Sequence, residues 1–482
     1  MRTLITDLDG TLIRTDILIE CLLKALRRPG LWIKVIKWAL ESRSRLKYEL
    51  ANHVDLDVTL LPYNSDVIDL LKEAKSAGAK IVLATASTQN VANNIASHLG
   101  IFDEVLASSS TLNLKGRLKA SAITERFRSG SVAYIGNDQS DVHVWNVVGE
   151  VYVVNANRSL SAFVTKSYDN AHQLGQQLQI LPSTVLKAIR IHQWVKNTLL
   201  FTPIIAAHKL FDLPSLLTCA YSFFAFGLVA SSVYVLNDLL DLDDDRRHQT
   251  KRRRPFASAA LPITFGLTLA PLLLVGGVIL SLATQNHLFT GVLLCYYTST
   301  LLYSIDLKKR PIVDVTVLAG LYTIRIVAGA VATQTPLSFW FVTFSFFLFT
   351  SLAYVKRASE LISTQNLDSQ EHIRGRGYIG SDISLVNSIG PASGVMSCLV
   401  LALYLNDPRT VTLYRSPQLL WLVCPIVLYW ISRVWLRTFR GQMPDDPIVF
   451  AIKDRLSWVL VILSCLLAFA ANLIPTYGVT FK

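Results

Sequence analysis

Asp7-Leu8-Asp9-Gly10-Thr11 puts two carboxylates two residues apart, after a short apolar run and before a glycine turn. At a strand's end, the first acid can attack phosphorus and the second can protonate the leaving oxygen, with a Mg2+ ion beside them to offset their charge. A second acidic run reads Asn237-Asp238-Leu239-Leu240-Asp241-Leu242-Asp243-Asp244-Asp245. Asp238, Asp241 and Asp245 follow the spacing i, i+3, i+7, and Asn237, Asp241 and Asp245 follow i, i+4, i+8. On a helix, each set shares one face. Aligned carboxylates repel unless a cation sits among them, and Mg2+ holding a diphosphate is their natural complement. The basic run Arg246 to Arg254 comes next and includes Arg247 and Lys251. Its forked guanidiniums can hold phosphate oxygens, and the run also suits an anionic membrane face.

The elements that must carry these groups differ along the chain. The hydrophobic fraction is 51% and the charged fraction 17%, on the membrane side of ordinary soluble composition. Up to about residue 180, charge and apolar residues mix as in a soluble domain. Beyond it, nine apolar stretches are long enough to suggest spans, near 197–211, 215–236, 262–283, 287–304, 312–333, 338–355, 383–405, 417–436 and 456–475. Basic residues gather after the even-numbered spans, among them Arg246, Lys309, Lys356, Arg374 and Arg437, whereas the odd-numbered loops hold only Lys209, Arg409 and Arg415. Cytoplasmic loops carry the Lys/Arg excess. Nine spans therefore predict a cytoplasmic N-terminus and a C-terminus on the opposite face of the plasma membrane. The opening MRTLITDLDG has acids where a signal peptide needs an apolar core, which gives the same expectation for the N-terminus. The net charge of +12 follows these loops and does not call for nucleic acid. The six cysteines form no metal or redox spacing and are expected to be small buried hydrophobes.

Residues 1–175 resemble the haloacid dehalogenase phosphatase superfamily. Asp7 and Asp9 match its first motif. Ile81-Val82-Leu83-Ala84-Thr85 matches its second, with Thr85 as the phosphate-binding hydroxyl and Ser87 as the alternative. The resemblance implies a neutralising lysine, either Lys119 or Lys115. It also implies metal ligands in Gly136-Asn137-Asp138-Gln139-Ser140-Asp141, where Asn137 stands in place of the family's usual Asp and Asp138 or Asp141 can compensate. Residues of about 13–60 fall where the family inserts a cap. Within them, residues 31–48 interleave Trp32, Ile33, Ile36 and Trp38 with lysines and arginines. That pattern suits either a helix resting on anionic lipid or an ordinary cap helix.

NDxxDxxxD at a span's end resembles the UbiA superfamily. The family's second acidic region matches Tyr303, Lys308, Asp314 and Arg325, although Leu318 stands where aromatic prenyltransferases carry a second acid. Gln193-Trp194-Val195-Lys196-Asn197, the run Lys251 to Ser258, and the run Tyr354 to Leu361 with Lys356 and Arg357 look more like the polyprenyl-phosphate phosphoribosyltransferases. The expected architecture is multidomain. An α/β Rossmannoid domain with a helical cap (1–180) precedes an all-α polytopic membrane domain of about nine transmembrane helices (181–482).

The resemblance implies 5-phosphoribosyl 1-diphosphate and a polyprenyl phosphate as substrates. Mg2+ would sit on Asn237, Asp238, Asp241 and Asp245, with a second ion at Asp314. Lys308, Arg254 and neighbouring cations would hold phosphates. Two other readings stay open: transfer of an isoprenoid from its diphosphate to an aromatic or small acceptor, and an N-terminal domain that only binds or regulates.

Overall fold

The computed structural model describes residues 2–109, 112–175, 179–363, 376–444 and 446–474. Arg374 and Asp445 lie outside the described residues. The chain divides into two compact units, Met1–Arg190 with Tyr234–Pro271, and Ile191–Val233 with Leu272–Lys482.

In the first unit, six parallel strands form one sheet: β1 (Thr3–Thr6), β2 (Lys80–Thr88), β3 (Glu104–Ser108), β4 (Val132–Gly136), β5 (Glu150–Val154) and β6 (Ala171–Leu174), in the order β3-β2-β1-β4-β5-β6. A parallel sheet covered on both faces reads as continuous apolar runs, which is what Ile81-Val82-Leu83-Ala84 and Val132-Ala133-Tyr134-Ile135 supply. Alternation along the strands splits them between two cores. Leu4, Ile81, Leu83 and Ala133 face one with Trp38 and Leu50, while Ile5, Val82, Ala84 and Tyr134 face the other with Trp145. The expected α/β domain with a helical cap is therefore present. The cap consists of the helices Ile17–Leu26, Trp32–Glu41 and Arg43–His53, the first capped by the Asp16 carboxylate and the third by the Ser42 hydroxyl. The basic stretch forms the second and third of these helices. Trp38 is buried in the core, whereas Ile33 and Leu40 are each 83% exposed.

Among the described residues, eight helices are long and apolar enough to cross a membrane: Leu213–Leu240, Ile263–Leu282, His287–Ile305, Val313–Ala332, Phe339–Ser363, Gly380–Leu405, Pro417–Phe439 and Arg455–Leu473. The ninth, expected at 197–211, is not one of them. Ile191–Phe201 winds as a 3-10 helix, and only Thr202–Ala206 is α-helical before His208 breaks the run at φ +59°. Polar anchors hold this segment in place of a regular apolar face. Trp194 Nε1 donates to Ser231 Oγ at 2.9 Å, and the Asn197 side-chain oxygen accepts from Arg325 Nε at 3.2 Å. Arg190 pairs with Asp238 near the C-terminal end of the 28-residue helix Leu213–Leu240. Residues 191–212 must therefore carry the chain back along its whole length, about 40 Å at an α-helical rise.

The cysteines do not all follow expectation. Cys21 and Cys219 are buried, but Cys295 and Cys465 are exposed on helices of membrane length, where an outward-facing thiol meets an apolar medium as readily as an inward one.

In the second unit, the irregular segment packs against the Val313–Ala332 helix at a glycine. A Cβ on Gly329 would stand 2.0 Å from the carbonyl oxygen of Leu200. That neighbour is backbone and cannot rotate away. Gly329→Ala should thus cost about 1–3 kcal/mol, the usual penalty for overpacking. Thermal unfolding of the detergent-solubilised protein should show a lowered midpoint, and an unchanged one would mean that the 191–201 segment can move aside.

Candidate active sites

The sheet places the first site. In an open α/β sheet, ligands bind beyond the carboxyl ends of the strands where the strand order reverses. Here that point lies between β1 and β4. Asp7 follows β1 directly, its N–H donating to Ile135 O at 3.0 Å, and Asn137 follows β4 directly. Lys119, from the helix Arg117–Arg126, reaches Asp7 Oδ1 at 2.7 Å and lies 3.9 Å from Asp141 Oδ1. Lys115 instead meets the half-exposed Asp138 at 3.3 Å. Of the two lysines, Lys119 is the one beside Asp7. Ser87 Oγ donates to Asp9 Oδ2 at 3.0 Å, whereas Thr85 Oγ1 is buried and accepts the Ser87 N–H at 2.9 Å. Of the two hydroxyls, Ser87 touches the acid and Thr85 orients the turn.

Gly10 takes φ +75°, and a Cβ there would fall 2.1 Å from Asn137 Nδ2. The turn is therefore open only to glycine, and Asn137 is pressed against it, accepting from Thr11 Oγ1 at 3.2 Å. Asp141 Oδ2 accepts the N–H groups of Asn137 and Asp138, both at 3.0 Å, and its Oδ1 accepts from Tyr134 at 2.9 Å. Burial, followed by the negative charges of Asp16 and Asp7, pushes Asp9 up to about 7. A carboxyl group in that range can give and take a proton near neutral pH. Burial also raises Asp7, with Asp141 adding to the rise and Lys119 opposing it. Buried acids short of countercharge, with oxygen as the only donor type, are the chemistry that Mg2+ fits.

The acidic motif also lies in the first unit. The helix Leu213–Leu240 stops just before Asp241, and a second helix runs Leu242–Arg247. The hydrogen bonds Asp241 N to Asn237 O and Asp245 N to Asp241 O, both 2.9 Å, continue the helical phase across the break. Arg254 Nη1 bridges Asp238 at 3.1 Å and Asp245 at 2.7 Å, and Arg190 pairs with the same oxygen of Asp238, Oδ1. Burial pushes Asp245 up to about 6 even with Arg254 beside it. Among the described residues, no three acidic, histidine or cysteine side chains converge as a metal cage. That does not exclude Mg2+, which is usually held by one or two carboxylates plus substrate phosphates. Cations from the cap close the motif: Lys24 reaches Asp243 at 2.5 Å, and Arg27 lies 3.2 Å from Asp244 and 3.8 Å from Asp241. Arg246 makes a two-pronged contact with the buried Glu20, at 2.7 and 3.2 Å. Arg247 pairs with Asp57 at 2.7 Å, and Lys251 is exposed.

The second unit gathers the other expected residues in two groups. Asp314 is fully buried, with Arg357 Nε 2.6 Å from Oδ2 and Tyr378 donating to Oδ1 at 2.8 Å. The Arg357 guanidinium thus stands beside the carboxylate at which a second ion is expected. Arg357 also pairs with Glu360 and donates to Tyr303 OH at 3.3 Å, while Arg376 donates to the same hydroxyl at 3.0 Å. Lys196 pairs with Asp446, and Lys356 lies within electrostatic range of Lys196, Glu360, Arg357 and Arg376. The second group is Arg325, enclosed by the rings of Phe226, Tyr296 and Tyr322 and held by Asn197. This is a buried cation satisfied by aromatic faces rather than one offered to a ligand. Lys308 is 9% exposed.

Several participants were not legible in the chain. Tyr134 bridges Lys119 and Asp141, and only its inward position on β4 marked it. Arg190, Glu20, Arg376 and Tyr378 are far in sequence from the motifs that they complete, and no local spacing announces them.

The UbiA prenyltransferase family matches residues 198–453, more than half of the chain, and the chain belongs to that family. Its N-terminal region is the six-stranded parallel α/β sheet with a helical cap described above. An uncharacterised protein y4nM of Sinorhizobium fredii is 36% identical over 95% of this chain and 88% of its own length. The nodulation protein NoeC of Azorhizobium caulinodans is 35% identical over 60% of this chain and 92% of its own. A decaprenyl-phosphate phosphoribosyltransferase of Mycolicibacterium smegmatis is 28% identical over 58% of this chain and 89% of its own. Among solved structures, a UbiA homologue from Archaeoglobus fulgidus bound to GPP and Mg2+ aligns over 60% of this chain and all of its own, at 14% identity and TM-score 0.45. A substrate-bound phosphoserine phosphatase aligns over 35% of this chain and 91% of its own, at 16% identity and TM-score 0.26.

The Glu20–Arg246 pair is the most buried of the ion pairs between cap and motif, with side chains 2% and 6% exposed. Removing one partner of such a pair strands the other charge, so Glu20→Ala should cost about 3–5 kcal/mol. Adding Arg246→Met should restore much of that loss. Unfolding midpoints of the single and double variants measure this, and equal midpoints would show that Arg246 finds water.

Proposed function

We propose that this chain is a membrane enzyme of two steps. It transfers 5-phosphoribosyl from 5-phosphoribosyl 1-diphosphate to a polyprenyl phosphate, and its phosphatase domain then removes the 5-phosphate, leaving a polyprenyl-phosphoryl ribose. The observation that carries this reading is the 28% identity between its membrane part and a decaprenyl-phosphate phosphoribosyltransferase. Leu318, where aromatic prenyltransferases carry a second acid, supports it over the rival transfer to an aromatic acceptor.

In the first step, an oxygen of the lipid phosphate attacks the anomeric carbon as the bond to diphosphate breaks. No side-chain base is needed, because a phosphate is already ionised. Asn237, Asp238, Asp241 and Asp245 would hold Mg2+, which when bound supplies charge neutralisation for the departing diphosphate. Arg254, already on Asp238 and Asp245, is placed to follow phosphate oxygens. Lys196, Lys356, Arg357 and Arg376, four cations against Asp314, Glu360 and Asp446, make a second region suited to phosphate. We assign Asp314 to holding Arg357 in place.

In the second step, Asp7 attacks the 5-phosphate and Asp9 protonates the leaving ribose oxygen. Lys119 neutralises the phosphoryl group, and water then hydrolyses the aspartyl phosphate. Asn137, Asp138 and Asp141 would complete the oxygen donors for Mg2+ there.

The membrane topology follows the same reading. The basic loops after the helices that end at Leu240, Ile305, Ser363 and Phe439 would be cytoplasmic. Residues 191–212 would make the crossing that the missing ninth helix would otherwise supply. The N-terminal domain would then be cytoplasmic and the C-terminus on the opposite face of the plasma membrane.

Two outcomes test the reading, in an assay of the purified protein with radiolabelled 5-phosphoribosyl 1-diphosphate, polyprenyl phosphate and Mg2+. Asp241→Ala should abolish ribosyl transfer to lipid without changing the unfolding midpoint, and retained transfer would remove the acidic motif from the site. Asp7→Asn should leave transfer intact and accumulate the 5-phosphorylated lipid, whereas an unchanged product would leave the N-terminal domain without its proposed step. A sample that makes no ribosyl lipid but joins an isoprenoid diphosphate to an aromatic acceptor would favour the rival.

A further inference from the structure

Within the first unit, the cap segment 57–63 and the loop 246–258 flank a solvent-open pocket of about 290 Å³ lined by Arg14, Thr59, Tyr63, Arg246, Arg252 and Ser258. No carboxylate lines it. Arg246 is neutralised by Glu20. Arg14 reaches only the neutral amide oxygen of Asn64, at 3.4 Å, and among the described residues neither Arg14 nor Arg252 pairs with a carboxylate. Two forked guanidiniums thus face a concave space with no counterion. The walls are anchored. Arg246 is tied to Glu20, and Arg247 is tied to Asp57, whose carboxylate also caps the turn Val58–Leu60. Arg14 N donates to Pro62 O at 2.9 Å, and backbone bridges join Asp9 to Ile13 and Ile13 to Tyr63. The backbone from Asp9 to Arg14 thus leads to one wall of the pocket.

Charge and size select the ligand. A phosphomonoester carries about −1.5 to −2 at neutral pH, matching two unpaired arginines, and the guanidinium fork fits its oxygens. The volume is at the low end for small-molecule sites, which run from about 300 Å³ upward. It has room for a sugar phosphate. We propose that this cavity is a phosphomonoester subsite that takes a pentose 5-phosphate headgroup and holds it beside the phosphatase domain while any lipid tail stays outside. The choice of headgroup rests on the two-step reading above, but the anion site does not.

The test uses the full-length protein carrying Asp7→Asn, so that the probe is not hydrolysed. Equilibrium dialysis with labelled ribose 5-phosphate should show saturable binding. Inorganic phosphate should compete, and ribose should not. Arg14→Ala with Arg252→Ala should weaken binding at least tenfold, and Arg253→Ala, on the same loop but outside the lining, should leave it within twofold. Arg14→Lys with Arg252→Lys keeps the charge and loses the fork, and should weaken binding severalfold, which covers the case in which the alanine pair misfolds. Nanodiscs containing phosphatidic acid, compared with nanodiscs of phosphatidylcholine alone, separate the sources. Competition by the former assigns the site to a lipid-borne monoester, and its absence assigns it to a soluble one. Unsaturable binding, or equal affinity in all the arginine variants, overturns the subsite. The two readings fail separately: arginine-dependent binding with no ribosyl lipid in the transfer assay overturns the two-step reading alone, and a normal two-step product with arginine-independent binding overturns the subsite alone.

Discussion

Asp238 is 2% exposed at the end of a long apolar helix, and it is tolerated there because Arg190 and Arg254 bring it positive charge. An isolated carboxylate in such surroundings would cost several kcal/mol. The same constraint governs each cluster in the chain. Asp7 has Lys119, Asp314 has Arg357, Glu20 has Arg246, and Lys196 has Asp446. Each pair joins segments far apart in sequence, so countercharge, more than any run of residues, decides which segments meet.

These pairs also show how one fold can both bury acids and use them. A salt bridge holds a carboxylate in place, and the guanidinium that Arg254 shares between Asp238 and Asp245 is of a kind that also fits phosphate oxygens. Burial leaves Asp245 raised to about 6 in spite of that partner. In the sheet domain, Asp9 at about 7 is held by the Ser87 hydroxyl and the Ile17 N–H, with Lys47 acting on it electrostatically. Asp7 and Asp9 stand two residues apart, yet only Asp7 meets a buried lysine at 2.7 Å, and the proposed second step gives Asp7 the attack on phosphorus and Asp9 the proton transfer.

Within the first unit, the cap and the acidic motif are linked by four cations: Lys24, Arg27, Arg246 and Arg247. Exposed pairs such as Arg247–Asp57 contribute little individually. The buried Glu20–Arg246 pair fixes the register between the cap helix and the loop, and the exposed pairs follow from it.

Much of the chemistry was legible in the chain because it depends on local spacing. DxDGT after an apolar strand, the helical phase of Asn237 to Asp245, the basic loops and the apolar runs follow from the backbone periods of 2 and 3.6 and from the length of a bilayer crossing. Other features needed the tertiary structure. Whether Lys119 or Lys115 meets Asp7, whether Ser87 or Thr85 touches Asp9, and that Asp314 meets Arg357 and Tyr378 depend on where distant helices lie. Residues 191–206 looked like a span by composition, but the side-chain anchors of Trp194 and Asn197 and the close approach of Leu200 to Gly329 make them an irregular segment. Local pattern determines which residues can do chemistry, because dihedral preference and hydrophobic period act over a few residues. The partner of a buried charge is chosen by packing across the whole chain, and no short stretch of sequence contains that choice.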